Sequence, residues 1–253
     1  MKLGLAGKVA LVTGGNAGIG RATALAFASE GVHVAVAARR EAEGKETVAT
    51  IEKEGGKAIF IQTDVTKEDD VDRMVEFVVN KFGHLDYAFN NAGIVNRIPL
   101  IEMSKDDFKS IINVNLTGVF LCMKYEIIQM LKQGKGAIVN MSSALGIAGT
   151  HRPLSAYVAS KHGVIGLTKA AALAYAKSGI RINSISPGAI LTEMQKTAIA
   201  SDPSVEKLYI DDTPIGRYGT PEEVANTVVW LCSDAASFVH GENMRVDGGA
   251  RSK

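Results

Sequence analysis

Seven short runs of β-branched and apolar residues alternate with amphipathic stretches of helix length along this chain of 253 residues. The runs are KVALVT, VHVAVAA, KAIFIQT, LDYAFN, GAIVNMS, IRINSIS and NMRVDGG. The longer stretches are Ile19–Glu30, Glu41–Glu54, Glu68–Phe82, Lys105–Lys132, Ala156–Lys177 and Pro221–Ser233. Strands that alternate with helices form βαβ units around a parallel sheet. The pattern predicts an α/β fold, a doubly wound parallel sheet of seven strands with helices on both faces.

No low-complexity segment, internal repeat or Pro/Ser-rich linker interrupts this alternation. A length of 253 residues corresponds to roughly one or two domains, and α/β folds of this size often stay undivided. We therefore expect one domain over residues 1–253. Residues 193–214 mix apolar and acidic side chains, and we interpret them as a mobile lid over a substrate pocket. Residues 94–98 and 145–154 are expected to form the rest of that pocket.

The composition argues against several classes of partner. The formal net charge is +1, so no global charge favours nucleic acid or an anionic membrane. No segment approaches the roughly 20 consecutive apolar residues of a membrane span. Cys122 and Cys232 lie in apolar surroundings, which is typical of buried thiols in a reducing cytosol. The five histidines form no metal-spaced cluster. We expect a cytoplasmic protein with a small-molecule partner and no metal.

The stretch TGGNAGIG, residues 13–20, follows the first predicted strand and opens the first predicted helix. The free N–H groups and the dipole of a helix N-terminus together bind anions. We expect Gly14 to permit a sharp turn, Gly18 to let a phosphate approach the backbone, and Gly20 to let the helix pack closely on the sheet. A tight turn without a ligand is the alternative interpretation.

Two groups further along the chain favour a bound dinucleotide over an empty turn. Asp64 follows the third run and is placed to hold an adenine amino group. The sequence NNAG, residues 90–93, follows the fourth run and offers amide groups and a close backbone approach. Ligands of doubly wound folds bind at the carboxyl ends of the strands, where all these residues are predicted to lie.

A candidate reacting group lies in SAYVASKHG, where Tyr157 and Lys161 are four residues apart and share one helix face. A neighbouring ammonium stabilises a phenolate, so we expect Lys161 to lower the pKa of Tyr157 and make it an acid–base group. Ser142 and Ser143 follow the fifth run, and either hydroxyl could donate to a developing alkoxide. Asn115 lies mid-helix, as a tolerated polar residue or as part of a kinked turn that holds water.

The motifs TGGNAGIG, NNAG, NVN, NMSS, YVASK, SPGAILTEM and DGG occur in an order and spacing that resemble the short-chain dehydrogenase/reductase family, in its compact single-domain branch. The resemblance covers nearly the whole chain. It implies a Rossmann-like sheet of strand order 3-2-1-4-5-6-7 and reversible hydride transfer between NAD or NADP and a ketone or secondary alcohol. It also implies a catalytic tetrad of Asn115, Ser143, Tyr157 and Lys161.

The resemblance assigns a role to each member of that tetrad. Tyr157 exchanges the proton, and Ser143 hydrogen-bonds the substrate oxygen. Lys161 binds the nicotinamide ribose and lowers the pKa of Tyr157, and Asn115 holds a water in the proton relay. The residues expected to bind the cofactor are Gly14, Asn16, Gly18, Ile19, Gly20, Arg39, Asp64, Val65, Asn91, Ala92, Gly93, Tyr157, Lys161, Pro187, Gly188, Ile190 and Thr192.

One spacing departs from the family pattern, in which the serine stands thirteen residues before the tyrosine. That position is Ala144 here, so Ser143 is the main candidate and Ser142 the other. The resemblance further implies a homotetramer that pairs through the helices at roughly 106–132 and 156–177. The small residues of GVIGLTKAAALAYA permit close helix packing there, although they also suit burial within one subunit.

The end of the second run indicates which dinucleotide is preferred. An NAD enzyme commonly places an acidic residue there, and the matching residue here is Ala38. Arg39 follows, and a guanidinium binds phosphate in a forked, charge-assisted way. Arg40 either assists or begins the next helix in solvent. We therefore expect NADP(H) to be preferred, with NAD(H) possible.

The substrate is not identified by these motifs. His151 and Arg152 could meet an anionic substrate, but we interpret them as part of a solvated loop. A non-catalytic dinucleotide sensor on the same fold is the alternative function, and the presence of all four tetrad residues favours the enzyme.

Overall fold

The computed structural model describes residues 3–202 and 204–252, so Met1, Lys2, Pro203 of the predicted lid, and Lys253 lie outside the described residues. Seven strands, numbered in chain order, form one sheet. They are β1 (Val9–Thr13), β2 (His33–Ala38), β3 (Ala58–Gln62), β4 (Tyr87–Asn90), β5 (Gly136–Met141), β6 (Ile180–Pro187) and β7 (Asn243–Val246). The order across the sheet is β3-β2-β1-β4-β5-β6-β7, and all neighbours are parallel. The predicted fold class and strand order are confirmed.

Nine α-helices are described among these residues. They are α1 (Gly18–Ser29), α2 (Glu41–Lys53), α3 (Glu68–Phe82), α4 (Lys105–Ile112), α5 (Gly118–Gln133), α6 (Ser155–Tyr175), α7 (Glu193–Ser201), α8 (Ser204–Asp211) and α9 (Pro221–Cys232). Thr220 begins α9 with a complete capping box, in which its hydroxyl and the Glu223 carboxylate each accept a backbone N–H.

Alternation along the central strand builds a hydrophobic core on each face of the sheet. Ala10 and Val12 pack against α1 and α9, whereas Val9 and Leu11 pack against α3, α5 and α6. Successive side chains of a strand point to opposite faces of the sheet, so a fully apolar strand contributes side chains to both cores. The carboxyl ends of the strands then lie together at one edge, where the predicted site residues occur.

The predicted single helix over residues 105–132 is wrong in one respect. A turn of π-helix, Asn113–Thr117, separates α4 from α5. Ser104 caps α4 with both bonds of a capping box to Asp107. The π turn widens the backbone at Asn115, as the kinked-turn interpretation expected, and π turns often mark functional sites.

The continuous helical stretch over residues 105–133 is long and apolar enough to cross a bilayer by length and composition alone. Half of its most apolar window is buried inside the fold, as in core helices of soluble proteins. The segment that we interpreted as a lid contains α7 and α8, which the sequence pattern did not predict.

Candidate active site

The glycine-rich loop joins β1 to α1 and leaves the start of that helix open. Gly14 has φ +63°, a left-handed conformation that glycine adopts readily. A Cβ on Gly20 would collide with the Gly14 carbonyl oxygen, so the helix lies close against the loop as expected. Ala17 at the N-cap supplies no side-chain hydrogen bond, so the first N–H groups of α1 have no side-chain cap. This arrangement fits the phosphates of a dinucleotide.

Thr13 and Asn91 hold the glycine loop to the end of β4. The Asn91 amide donates to the carbonyl oxygens of Thr13 (3.0 Å) and Gly14 (3.2 Å). The Thr13 hydroxyl accepts from the backbone N–H groups of Asn91 (3.0 Å) and Ala92 (3.2 Å). The Asn91 amide and the N–H groups of Asn91 and Ala92 thus make bonds within the protein, and their contact with the cofactor stays a prediction. Thr13 was missed by the sequence analysis, although it stands directly before the first glycine.

A cleft of about 410 Å³ lies beside the carboxyl ends of β2 and β3, lined partly by Arg39, Asp64 and Thr66. Asp64 Oδ1 accepts from the backbone N–H (3.0 Å) and hydroxyl (2.8 Å) of Thr66. Burial alone would raise the pKa of Asp64, but these hydrogen bonds and the charges of Arg39 and Lys67 lower it below its usual value. The cleft therefore pairs a fixed carboxylate with a guanidinium, a combination suited to an adenosine. Val65, the next residue, is buried against Gly118.

Arg40 contacts the glycine loop rather than extending into solvent alone. With the Asn16 amide oxygen facing the guanidinium, as the surrounding donors require, it accepts from Arg40 Nε (3.0 Å) and Nη2 (2.8 Å). The other side of Arg40 pairs with Glu43 at 3.1 Å. Arg39 and Arg40 thus border the adenosine cleft and the glycine loop, one on each side.

The segment after β6 closes the opposite side of the loop. The Thr192 methyl group is the atom nearest to the position that a Cβ on Gly18 would take, at 3.3 Å. Gly188 is pressed against Asp247, so its small size serves strand packing. Ile190 pairs with Gly219 in an isolated bridge.

Ser143 and Tyr157 lie together at the carboxyl end of β5. The Ser143 hydroxyl is within hydrogen-bonding reach of the Tyr157 phenol, and it also accepts from the Leu145 N–H at 3.1 Å. Ser142 is buried and donates to the Lys161 carbonyl oxygen at 2.9 Å. The geometry therefore selects Ser143 over Ser142 as the hydroxyl that faces the phenol.

The expected effect of Lys161 on Tyr157 is not found. Burial raises the pKa of Tyr157 above its usual value, and the hydrogen bond from Ser143 opposes this only in part. Lys161 Nζ donates to the Met141 carbonyl oxygen at 2.8 Å and lies 5.6 Å from the centre of the Tyr157 ring. The ammonium thus contacts the face of the ring rather than the phenol oxygen. Burial lowers the pKa of Lys161 itself to about 8.

Asn115 joins the π turn to the loop after β4. Its Oδ1 accepts from the Ile94 N–H at 2.8 Å, and its Nδ2 donates to the Ile94 carbonyl at 2.9 Å. A Cβ on Gly93 would lie 3.4 Å from Asn115 Oδ1 and 3.7 Å from Lys161 Nζ. The structure therefore brings Asn115, Gly93 and Lys161 together, with Tyr157 one helical turn before the lysine.

Comparisons with known proteins agree with this geometry. A family model described as enoyl-(acyl carrier protein) reductase matches residues 14–251. A 2,5-dichloro-2,5-cyclohexadiene-1,4-diol dehydrogenase of Sphingobium indicum is 45% identical over 248 residues, which cover 97% of each chain. The crystal structure of a short-chain type dehydrogenase/reductase from Mycobacterium marinum has a TM-score of 0.94 and 37% identity, covering 100% of this chain and 98% of its own. The chain is a short-chain dehydrogenase/reductase.

Another similar solved structure contains a nicotinamide cofactor. A protein from Agrobacterium tumefaciens described as a 2-deoxy-D-gluconate 3-dehydrogenase was solved with bound NADP. It has a TM-score of 0.90 and 35% identity, covering 100% of this chain and 99% of its own. The short-chain dehydrogenase/reductase family uses NAD or NADP. This chain, as a member of that family, is an oxidoreductase that acts on alcohol or carbonyl groups of small molecules.

We expected Arg152 to lie in a solvated loop, but its side chain is largely covered. Only 15% of its side chain is exposed. Its guanidinium lies 4.0 Å from the centre of the Tyr209 ring, and Nη2 donates to Asp212 Oδ2 at 3.0 Å. Both partners belong to the segment that we interpreted as a lid. Arg152 therefore joins the loop before α6 to that segment.

A buried polar network lies behind the site. Glu126 of α5 is fully buried, and its Oε2 accepts from Asn90 Nδ2 at 2.9 Å. Asn90 also donates to Asn140 Oδ1 (3.0 Å), whose own amide donates to Thr168 (3.0 Å) and to the sulfur of Met123. Burial raises the pKa of Glu126 to about 8. The network joins β4 to β5 one residue before Asn91 and two before Ser142.

Proposed function

We propose that this protein is an NADP(H)-preferring dehydrogenase/reductase that interconverts a ketone and a secondary alcohol, with Asn115, Ser143, Tyr157 and Lys161 as its catalytic tetrad. The observation that carries the proposal is the Ser143 hydroxyl beside the Tyr157 phenol, with the Lys161 ammonium against the same ring. Two hydroxyl groups that meet at one point can both hydrogen-bond a single carbonyl oxygen, and one of them can give it a proton.

When bound, NADPH would supply the hydride that the carbonyl carbon takes up. Tyr157 donates its proton to the carbonyl oxygen, and Ser143 holds that oxygen by a hydrogen bond as negative charge develops on it. Because burial raises the pKa of Tyr157, the phenol is protonated at neutral pH, which suits the acid role in reduction. Lys161 orients the phenol from the ring face and is itself held by the Met141 carbonyl oxygen.

The Asn115 side chain acts by binding the backbone of Ile94. Its two hydrogen bonds to Ile94 fix the loop that follows β4, where Gly93 leaves room beside Lys161. We assign Asn115 to holding this loop and the expected water of the proton relay. We also assign the segment over residues 193–214 to a lid over the substrate pocket.

The preference for NADP rests on the residues that follow β2. Ala38 offers no carboxylate to the ribose hydroxyls, so nothing at this position repels a 2′-phosphate. Arg39 is exposed beside Asp64, and Arg40 is fixed to Asn16 of the glycine loop. A phosphate on the adenosine ribose would find one guanidinium on each side.

The test is a steady-state assay of ketone reduction with both cofactors, followed by the loss of reduced-cofactor absorbance. The proposal requires a higher kcat/KM with NADPH than with NADH. Ala38→Asp combined with Arg39→Leu should reverse that preference, mainly through KM for the cofactor. A higher kcat/KM with NADH for the unaltered protein would contradict the cofactor assignment. Cofactor binding without turnover of any ketone in a broad panel would instead favour the non-catalytic sensor.

We also propose a homotetramer that pairs through α5 and α6. Exposed apolar side chains support this proposal, since Phe120, Ile128 and Leu131 on α5 and Leu173 on α6 all face solvent in the single chain. Leu173 is 83% exposed, and an exposed apolar patch of this kind is typical of a protein–protein interface when its members are contiguous. A monomer mass by light scattering at micromolar concentration would contradict the assembly.

A further inference from the structure

Arg152 is a largely covered cation. Asp212 compensates its charge, but not all of its N–H donors have an acceptor. Asp212 accepts from Nη2, and the Tyr209 ring covers the guanidinium face. The Nε–H is buried and has no acceptor among residues 3–202 and 204–252. Buried donors are almost always hydrogen-bonded, because an unpaired one costs the desolvation of that group. The unpaired Nε–H is therefore a donor that still needs an acceptor.

Arg152 is linked to the proposed proton donor by the sequence and by Tyr209. It stands five residues before Tyr157, on the loop that leads from Ser143 into α6. Tyr209, whose ring contacts the Arg152 guanidinium, is also near enough to Tyr157 to affect the pKa of its phenol. Tyr209 thus contacts Arg152 and lies within electrostatic range of Tyr157, so we expect a small molecule held at Tyr157 to extend toward Arg152.

The charge balance decides what kind of group Arg152 would recognise. A carboxylate on the substrate would have to compete with Asp212, which already neutralises the guanidinium at 3.0 Å. A neutral oxygen acceptor needs only the free N–H and leaves the ion pair intact. A second carbonyl oxygen is such an acceptor, whereas a purely hydrocarbon group would leave the donor unpaired.

We propose that Arg152 is a specificity-determining residue whose Nε–H donates to a second, neutral oxygen of the substrate, so that the favoured substrates are ketones with a second carbonyl group. This proposal rests on the proposed function, because the first carbonyl is the one held by Tyr157 and Ser143. The distal oxygen fixes the orientation of the substrate, and Asp212 and Tyr209 fix the orientation of Arg152.

The experiment compares 1,4-cyclohexanedione with cyclohexanone, which has the same ring and lacks the second oxygen. For the unaltered protein with NADPH, kcat/KM for the dione should exceed that for cyclohexanone about tenfold to a hundredfold, as expected for a ligand that pairs a buried donor. Arg152→Met should reduce this ratio to about two, the value expected on statistical grounds from two equivalent carbonyls. Arg217→Met, which removes an exposed ion pair with Glu223, is the matched control and should keep the full ratio.

Two further arms keep the outcome decisive. Arg152→Lys retains the charge next to Asp212 but has no Nε–H, so it should fold and lose the ratio as Arg152→Met does. A ring ketone with a 4-carboxylate should show no Arg152-dependent advantage. An unchanged ratio in both Arg152 variants, or an Arg152-dependent preference for the carboxylate, would overturn the proposal.

Calorimetry of dione binding to the NADPH-loaded protein separates this inference from the proposed function. If no ketone is turned over, the proposed reaction fails. Tighter dione binding to the unaltered protein than to Arg152→Met would still support the role of Arg152, and equal binding would overturn it.

Discussion

Replacing Glu126 by glutamine tests whether the core behind the site contains a neutral carboxylic acid. Glu126 Oε1 and Asn90 Oδ1 both lack a hydrogen-bond partner among the described residues, although the two side chains are already joined through Oε2 and Nδ2. A proton on the Glu126 carboxyl would supply the donor that the Asn90 oxygen lacks. Glutamine carries that donor permanently in its amide, so Glu126→Gln should keep both bonds and remove the ionisation.

The size of the effect follows from the two pKa values of Glu126. Burial raises its pKa from 4.5 to about 8 in the folded protein. The unfolded chain releases this proton near pH 4.5, whereas the folded protein keeps it up to about pH 8. The free energy of unfolding therefore falls as pH rises from about 4.5 to about 8 and is constant above that. The slope is about 1.4 kcal/mol per pH unit. Between pH 6 and pH 8 the loss is about 2 to 3 kcal/mol for the unaltered protein, and it should be absent for the glutamine variant.

The assay is urea unfolding at pH 6, 7 and 8 and one protein concentration, followed by fluorescence of Trp230, the single tryptophan. Cys122, whose thiol pKa is raised by its burial and by the charge of Glu126, stays neutral in this pH range. Glu30→Gln on the surface is the control and should follow the unaltered protein. Parallel loss of stability with pH in the unaltered protein and Glu126→Gln would refute the reasoning.

The strands were predictable because their apolar, β-branched runs and their glycine or polar ends are local properties. A kink at Asn115 was one of two interpretations of a poor helix former in mid-helix, but its π-helical form was not predictable, since a hydrogen-bond register of i to i+5 leaves no composition signal. The burial of Arg152 depends on Tyr209 and Asp212, about sixty residues away. The raised pKa of Tyr157 depends first on the burial of its phenol and then on Ser143 and Tyr209, and no spacing in the sequence reveals that burial.

Glu126 had a signal that the sequence analysis did not use. It is four residues from both Cys122 and Met130, and this spacing places all three on one helix face. Both neighbours are buried in the structure, as is Glu126. A charged residue on an apolar face of a predicted core helix therefore indicates a buried, neutralised group.

Two further outcomes concern the catalytic residues. Ser143→Ala should lower kcat about a hundredfold with little change in KM for the cofactor. Ser142→Ala should mainly lower the melting temperature, because the Ser142 hydroxyl donates to the Lys161 carbonyl oxygen. Equal losses of kcat in the two variants would contradict the assignment of Ser143. Because burial lowers the pKa of Lys161 to about 8, kcat for reduction should fall above that pH as the ammonium loses its proton. In Lys161→Arg the guanidinium stays charged, so any residual activity should show no such fall. A fall at the same pH in both proteins would exclude Lys161 as its source.

The most direct test of proton transfer by Tyr157 is single-turnover ketone reduction by Tyr157→Phe. The substitution removes one hydroxyl and keeps the ring that contacts Lys161. NADPH binding, measured by fluorescence titration, should stay within about twofold of the unaltered protein, while the rate of hydride transfer at neutral pH should fall by a factor of 100 or more, the order expected for loss of a general acid. A variant that binds NADPH and keeps more than about a tenth of the original rate would contradict the assignment of Tyr157 as the proton donor.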